Sequence, residues 1–304
     1  LFASRWAQSL SMMHWVTNSQ IIRASSPTPT GPFRFEEVVL DAREGDFWDS
    51  RMAHNPSIVS HQGRCYLFYT GTTYSAPLPE GPVSKELWAE AWNNKRIGIC
   101  VADSVYGPWE RPDTPALDVR PRHWDLAITS NAAPCIGPDN TAVLIYKSAN
   151  IKHGPGPFPG RFHLGCARAS LPDLRFERLS DEPISLNGST DTHVEDPFLW
   201  YGEGTYHLLM KDMTGEVCGE AEAGIYATSS DGQHWQTESN PLAYSRRFTW
   251  DDGSPAHQRK LERTQGLLTD GQLTHLYFAT ARTDAAGQID RAWNLVFAID
   301  HDRA

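Results

Sequence analysis

A strand–turn–strand unit recurs along this chain, and that recurrence constrains the fold more than any other feature. Its clearest copy is His193 to Met213, HVEDPFLWYGEGTYHLLMKDM. Pro197 to Tyr201 is a short apolar run and Tyr206 to Met210 is its return. Gly202-Glu203-Gly204 between them is turn chemistry, because glycine reaches positive φ without steric cost. Related first strands open at His54 (HNPSIV), Asn131 (NAAPCI) and Glu262 (ERTQGLL). Related second strands are Leu67–Thr70, Leu144–Lys147 and Leu276–Ala279, and Leu1–Ser4 matches them without a first strand before it. A third strand ends in small residues (RASS at Arg23, VADS at Val101, CARAS at Cys166, ATSS at Ala227), and a fourth follows a turn at GPF, GPW, DLRF and DGQHW. The spacing predicts an all-β, five-bladed propeller with four-stranded antiparallel blades, the first blade incomplete at the N-terminus, as a single domain over residues 1–304. The units run longer than the roughly 40–50 residues of WD40 or kelch repeats, and the extra length lies in loops.

In an up-and-down blade the first–second and third–fourth turns share one face, and the other connections share the opposite face. The first set is short here (HQGR, GPDN, GEGT, TDGQ). The second is long: 72–96, 148–161 and 213–223, with 41–53, 118–130 and 243–260 between blades. One face is scaffold and the other is elaborated, and function concentrates on loops displayed by a rigid scaffold. The elaborated face receives the start of each innermost strand. His54, Asn55, Asn131, Glu195, Asp196, Glu262 and Arg263 are therefore expected to ring an axial funnel, with Arg5, Lys147, Lys211 and Asp212 just behind. Three loops add a Trp-Asp pair, Trp48-Asp49, Trp124-Asp125 and Trp250-Asp251. These pairs read as loop anchors, with Asp49 the best candidate for the funnel. Trp88 and Trp92 stand at helical spacing in KELWAEAWNN, a short lid helix or its internal packing.

Composition narrows the partners. The net charge of −10 disfavours nucleic acid and anionic membrane, which require basic patches. No apolar run approaches the length of a membrane-spanning helix. Eleven tryptophans suit stacking on sugars as well as core filling. Of five cysteines, Cys65, Cys100, Cys135 and Cys166 fall within expected strands and read as small buried hydrophobes. The chain opens on LFASRW, already within a strand, so further residues are expected upstream.

Glycosidic bond cleavage uses one carboxylic acid to protonate the leaving oxygen and a second carboxylate to activate water or attack directly. Glu195, Asp196 and Glu262 are the carboxylates at innermost-strand starts. Lys147, Lys211 and Arg263 would tune their acidity or hold hydroxyls. The same groups also suit an ion-pair network that ties blades together. His54 and His193 read as substrate donors, a general acid, ligands of an axial ion, or structural hydrogen-bonding residues.

These motifs resemble the propeller glycoside hydrolases of families 32, 43, 62, 68 and 117, over nearly the whole chain. The residues that carry the resemblance are Asn55-Pro56 with YLFYTG, Arg96 to Trp109, Glu195-Asp196-Pro197 and Leu261-Glu262-Arg263. It implies an axial active site with carboxylates from successive inner strands. Asn55 and Asn131 stand where the family has acids, and neither can act as a base. The expected catalytic set is Asp196, Glu262 and Glu195, with His54, Asn55, Asp49, Asn131, Lys147, His193, Lys211, Asp212 and Arg263 around the substrate. The long rim loops should close the funnel into a pocket, which favours an exo-acting glycosidase on an oligo- or polysaccharide; the resemblance implies inversion, and the expected location is secreted or periplasmic. The resemblance implies no required cofactor, with calcium at the axis as a structural option. A phosphorylase on the same scaffold and a non-catalytic sugar-binding propeller are the alternatives.

Overall fold

The computed structural model describes residues 1–7, 12–137, 139–283 and 289–299. Five antiparallel sheets of three or four strands follow one another along the chain, with a two-stranded antiparallel ribbon, Arg247–Thr249 and Pro255–His257, before the last. The first is Phe2–Arg5, Gln20–Ser25 and Arg34–Leu40, and the second is Met52–His61, Arg64–Thr72 and Arg96–Ala102. The third is Ser130–Ile136, Thr141–Ser148, His163–Ser170 and Glu177–Arg178. The fourth is Val194–Gly202, Thr205–Asp212, Ala223–Ser229 and Leu242–Tyr244, and the fifth is Glu262–Thr269, Gln272–Thr283 and Ile289–Ala298. The first strands of the second to fifth sheets pack against one another in sequence, and Phe2–Arg5 packs on Met52–His61. The fifth sheet also meets the first: Tyr277 donates to the Pro29 carbonyl at 2.8 Å and its ring packs edge-on to Phe33. Among the described residues, no helix is long and apolar enough to cross a membrane.

The recurring turns explain the hairpins. Gln62-Gly63, Glu203-Gly204 and Asp270-Gly271 all have positive φ at both positions. That is the two-residue turn whose twist matches the flanking strands. The strands between these turns bury apolar side chains on both faces, because each sheet is covered by its neighbours. One core, including Val143, Ile145, Leu208, Met210 and Trp235, fills the space between the third and fourth sheets. A second, including Phe68, Ile97, Leu144 and Tyr146, lies between the second and third. Cys65, Cys100, Cys135 and Cys166 are buried free thiols, as their strand positions imply.

Among the described residues, only the third and fourth sheets have four strands. In the second, the expected outer strand shrinks to one bridge, Val101 with Glu110, because Trp109 turns to pack edge-on against Phe2 at 5.9 Å. In the fourth, DGQHW is not the outer strand. Its His234–Trp235 pairs in parallel with Ser185–Leu186, and Leu242–Tyr244 takes the outer position. The cause is Trp235, fully buried between sheets with its indole N–H on the Gly232 carbonyl at 2.9 Å. Burying that ring outweighs extending the sheet, since truncating a buried aromatic costs about 3–5 kcal/mol.

Candidate functional site

The site is built from a backbone irregularity repeated on four strands. Asn55, Asn131, Asp196 and Arg263 have φ of 53°, 53°, 53° and 59°. At each of them the inner strand slips by one residue against its partner: His54/Ser57, Ser130/Ala133, Glu195/Phe198 and Glu262/Gln265. Successive residues of a regular strand point to opposite faces. A bulge breaks that alternation and re-aims a side chain. This is why adjacent Glu195 and Asp196 both reach the same ammonium. Asparagine and aspartate tolerate the left-handed region; arginine does so at a cost of about 1–3 kcal/mol. Asp196 holds Arg263 there by accepting its backbone N–H at 3.0 Å and bonding its guanidinium. The recurrent His-Asn-Pro and Glu-Asp-Pro steps are the sequence signal of these bulges.

The four left-handed residues form a belt. The Asn55 amide donates to Asn131 Oδ1 at 3.1 Å, and the Asn131 amide donates to Asp196 Oδ1 at 2.9 Å. The asparagines therefore relay hydrogen bonds where the family resemblance expected acids. Behind the belt, Lys211 Nζ lies 2.7 Å from Glu195 Oε1, 3.2 Å from Asp196 Oδ2 and 2.9 Å from Glu262 Oε2. Lys147 Nζ takes the other oxygen of Glu195 at 2.8 Å. Burial opposes the charge on Lys211, but Asp196, Glu195 and Glu262 together hold its pKa well above the ordinary lysine value. Burial likewise opposes ionisation of Glu195, yet Lys147, Lys211 and Arg263 hold it well below the usual carboxylate range. Partial desolvation opposes ionisation of Glu262 as well, but Lys211 beside it pushes its pKa down to about 2. Its side chain is 24% exposed against 9% for Glu195 and 1% for Asp196, so it is the carboxylate most open to a ligand. Its Oε1 makes no hydrogen bond of good geometry, although Lys260 Nζ stands 3.2 Å away.

Aromatic side chains wall one side of this cluster. The helix Lys85–Asn93 forms as the Trp88/Trp92 spacing predicts, capped by Ser84 Oγ accepting the Leu87 N–H. It is a wall and not a cover: Trp92 is buried against His153, Phe158 and Phe162. Phe162 in turn packs on His193 and lies under Lys147 Nζ. His54 sits between Trp6 and Trp15, with its Nδ1 on Ser19 Oγ at 2.8 Å. Burial, then the charges of Arg263, Lys95 and Lys147, push its pKa well below the ordinary value, so His54 is neutral at pH 7. Burial also lowers the pKa of His193, and its Nε2 is enclosed without a hydrogen-bond partner among the described residues. Lys95 was not legible as a site residue. It follows the helix and is 2% exposed, with Nζ 4.3 Å from the Trp92 ring and 5.3 Å from Trp15.

Two expected site residues stand elsewhere. Asp49 is fully buried, and both its oxygens are occupied by Arg43, Arg111 and Tyr69. Trp48 stacks on the same Tyr69. Asp125 repeats the arrangement one sheet later with Arg120, Arg178 and Tyr146, and Trp124 stacks on Tyr146. Gly98 and Gly165 leave room for these indoles; a Cβ on either would stand 2.7 Å from the ring. Trp-Asp is therefore a staple between sheets, and it works only where the second strand offers tyrosine. Trp250, facing no such tyrosine, is 39% exposed. Asp212 also leaves the cluster, because it alternates with Lys211 along the strand. It accepts the backbone N–H groups of Thr214, Gly215, Val217 and Cys218, and so organises the following loop.

No protein-family model matches the chain, and no curated protein matches it. Solved structures do. One described as a glycoside hydrolase superposes with a TM-score of 0.63 at 14% identity, over 91% of this chain and 78% of that one. BT0996, solved as a complex with RGII, gives 0.62 at 15% identity over 91% and 78%. A family 117 glycoside hydrolase from the marine bacterium Zobellia galactanivorans gives 0.59 at 16% identity over 91% and 69%. The chain has the β-propeller fold of these glycoside hydrolases. In this propeller the oxygens of Glu195, Asp196 and Glu262 lie within 4.8 Å of one another, a spacing that would admit a metal ion. Calcium fits the trio poorly. Lys211 Nζ already occupies the point where the three carboxylates converge, and calcium asks for six to eight oxygens.

Proposed function

We propose that the protein is an exo-acting glycoside hydrolase on a five-bladed propeller, with a carbohydrate substrate entering beside Glu262. The observation that carries this reading is the convergence of three carboxylates from two neighbouring inner strands, on a fold shared with glycoside hydrolases. Asp196 is saturated by Asn131, Arg263 and Lys211 and positions the belt. Glu262 is ionised and the most exposed, so it attacks the anomeric carbon. The leaving oxygen takes its proton from the buried Lys147–Glu195 pair, in which burial weakens the hold of Lys147 on that proton. Water then attacks the anomeric carbon, gives its proton to the neutral Lys147 amine and releases Glu262 as a carboxylate. Inversion asks for about 6.5–9.5 Å between two carboxyl groups, and retention for about 5–5.5 Å. The close approach of these oxygens supports retention in place of the inverting outcome implied by the family resemblance.

The test is a panel of oligosaccharides and aryl glycosides with the anomer of the first product read by proton NMR. On any cleaved substrate, Glu262→Gln and Glu195→Gln should each lower kcat by at least about 100-fold, the scale of acid–base and nucleophilic contributions. Full activity in both variants refutes the roles, and an inverted first product refutes the double displacement.

A further inference from the structure

The cluster holds more positive charge than its carboxylates use. Lys147 and Lys211 pair with Glu195, Lys211 also with Glu262, and Arg263 with Asp196. Lys95 pairs with none of them. It is 2% exposed and makes no side-chain hydrogen bond or ion pair among the described residues. Its ammonium rests between Trp15 and Trp92. Trp15 carries it to His54 at 5.2 Å between ring centroids, and Trp92 with Phe162 carries it to Lys147. Burial, Lys147 and Arg263 lower its proton affinity, while Glu195 and Asp196, too far away to pair with it, favour its charged form. Burying an ammonium without a counter-ion is costly, and contact with aromatic faces returns only part of that cost. An apolar side chain would serve the packing of this wall better. A cation kept in such a place is complementary to an anion that arrives with a ligand.

We propose that Lys95, set between the Trp15–Trp92 wall and the carboxylate cluster, binds an anionic group borne by a sugar, a uronate carboxylate or a sulfate ester. This deepens the glycosidase reading, on which the identity of the ligand as a sugar rests. The Lys95 ammonium receives the anion, and Trp15, the partly exposed member of the wall, lies against the sugar ring. The neutral His54 beside it contributes a polar edge without a competing charge.

The experiment measures binding, so it stands apart from turnover. Isothermal titration of the intact protein with galacturonate, glucuronate, galactose 6-sulfate, galactose, glucose and inorganic phosphate should show at least tenfold tighter binding of one anionic sugar than of its neutral counterpart. Lys95→Met should abolish that preference and raise the thermal midpoint, because it removes an unpaired buried charge. Lys95→Gln should abolish the preference as well. Equal affinity for charged and neutral sugars overturns the proposal. So does a preference that survives both substitutions, or tight Lys95-dependent binding of phosphate with none of the sugars. If the preference is found but no glycoside is ever cleaved, the anionic site stands and the hydrolase reading falls.

Discussion

Replacing Lys211 by methionine isolates what holds the inner strands together. Lys211 is 1% exposed and touches Glu195, Asp196 and Glu262 at 2.7, 3.2 and 2.9 Å. Methionine keeps much of the volume and removes the charge. Removing one partner of a buried pair costs about 3–5 kcal/mol. Here three carboxylates lose a shared cation at once, so the loss should lie near 5 kcal/mol at pH 7. That is a large part of the roughly 5–15 kcal/mol that stabilises a domain. The pH dependence gives the sharper check. In the native protein Glu262 has its pKa depressed from 4.5 to about 2, and Glu195 is depressed well below 4.5. A depressed carboxylate contributes stability above its unfolded pKa, and that contribution is lost as pH falls from about 4.5 through the folded value. In the variant the crowded carboxylates repel, their pKa values rise, and protonation relieves them. The deficit should therefore be largest at neutral pH and shrink below pH 4.5. Urea unfolding at pH 7 and pH 4 measures both. A midpoint at pH 7 that corresponds to less than about 1 kcal/mol of loss, or a deficit that grows on acidification, would refute the network as a source of stability.

Two further substitutions separate scaffold from site. Asp49→Ala strands Arg43 and Arg111 around a buried gap, so it should cost about 3–5 kcal/mol in thermal or urea unfolding while leaving ligand affinity of the folded fraction unchanged. Asp212→Ala removes the acceptor of four backbone N–H groups, so it should cost about 1–3 kcal/mol and speed amide hydrogen exchange over residues 214–218, with Asp212→Asn falling between the two.

Much of the scaffold was legible from local rules. Alternating apolar runs, X-Gly turns and small-residue strand ends each act over a few residues, so the all-β class, the hairpins and the buried cysteines could be read directly. The Glu195, Asp196 and Glu262 trio was also legible, because the repeat aligns the starts of the inner strands. Asp49 and Asp212 were misplaced for one reason: a repeat assigns a residue to a strand end but does not say which way its side chain turns. Tyr69 and two arginines from distant segments draw Asp49 inward, and strand alternation turns Asp212 away from Lys211.

By itself, then, the sequence determined an all-β chain of repeated antiparallel hairpins with acids and lysines gathered at one end of the strands. The tertiary structure alone decided what those charges do. Whether Glu195 and Asp196 face one ammonium depends on a bulge whose left-handed residue is held by Asn131 and Arg263 from other sheets. Whether Lys95 has a counter-ion depends on which distant segments meet around it. Strand and turn preferences are settled over a few neighbouring residues. Pairing among charges far apart in sequence is settled only when the sheets pack and exclude water.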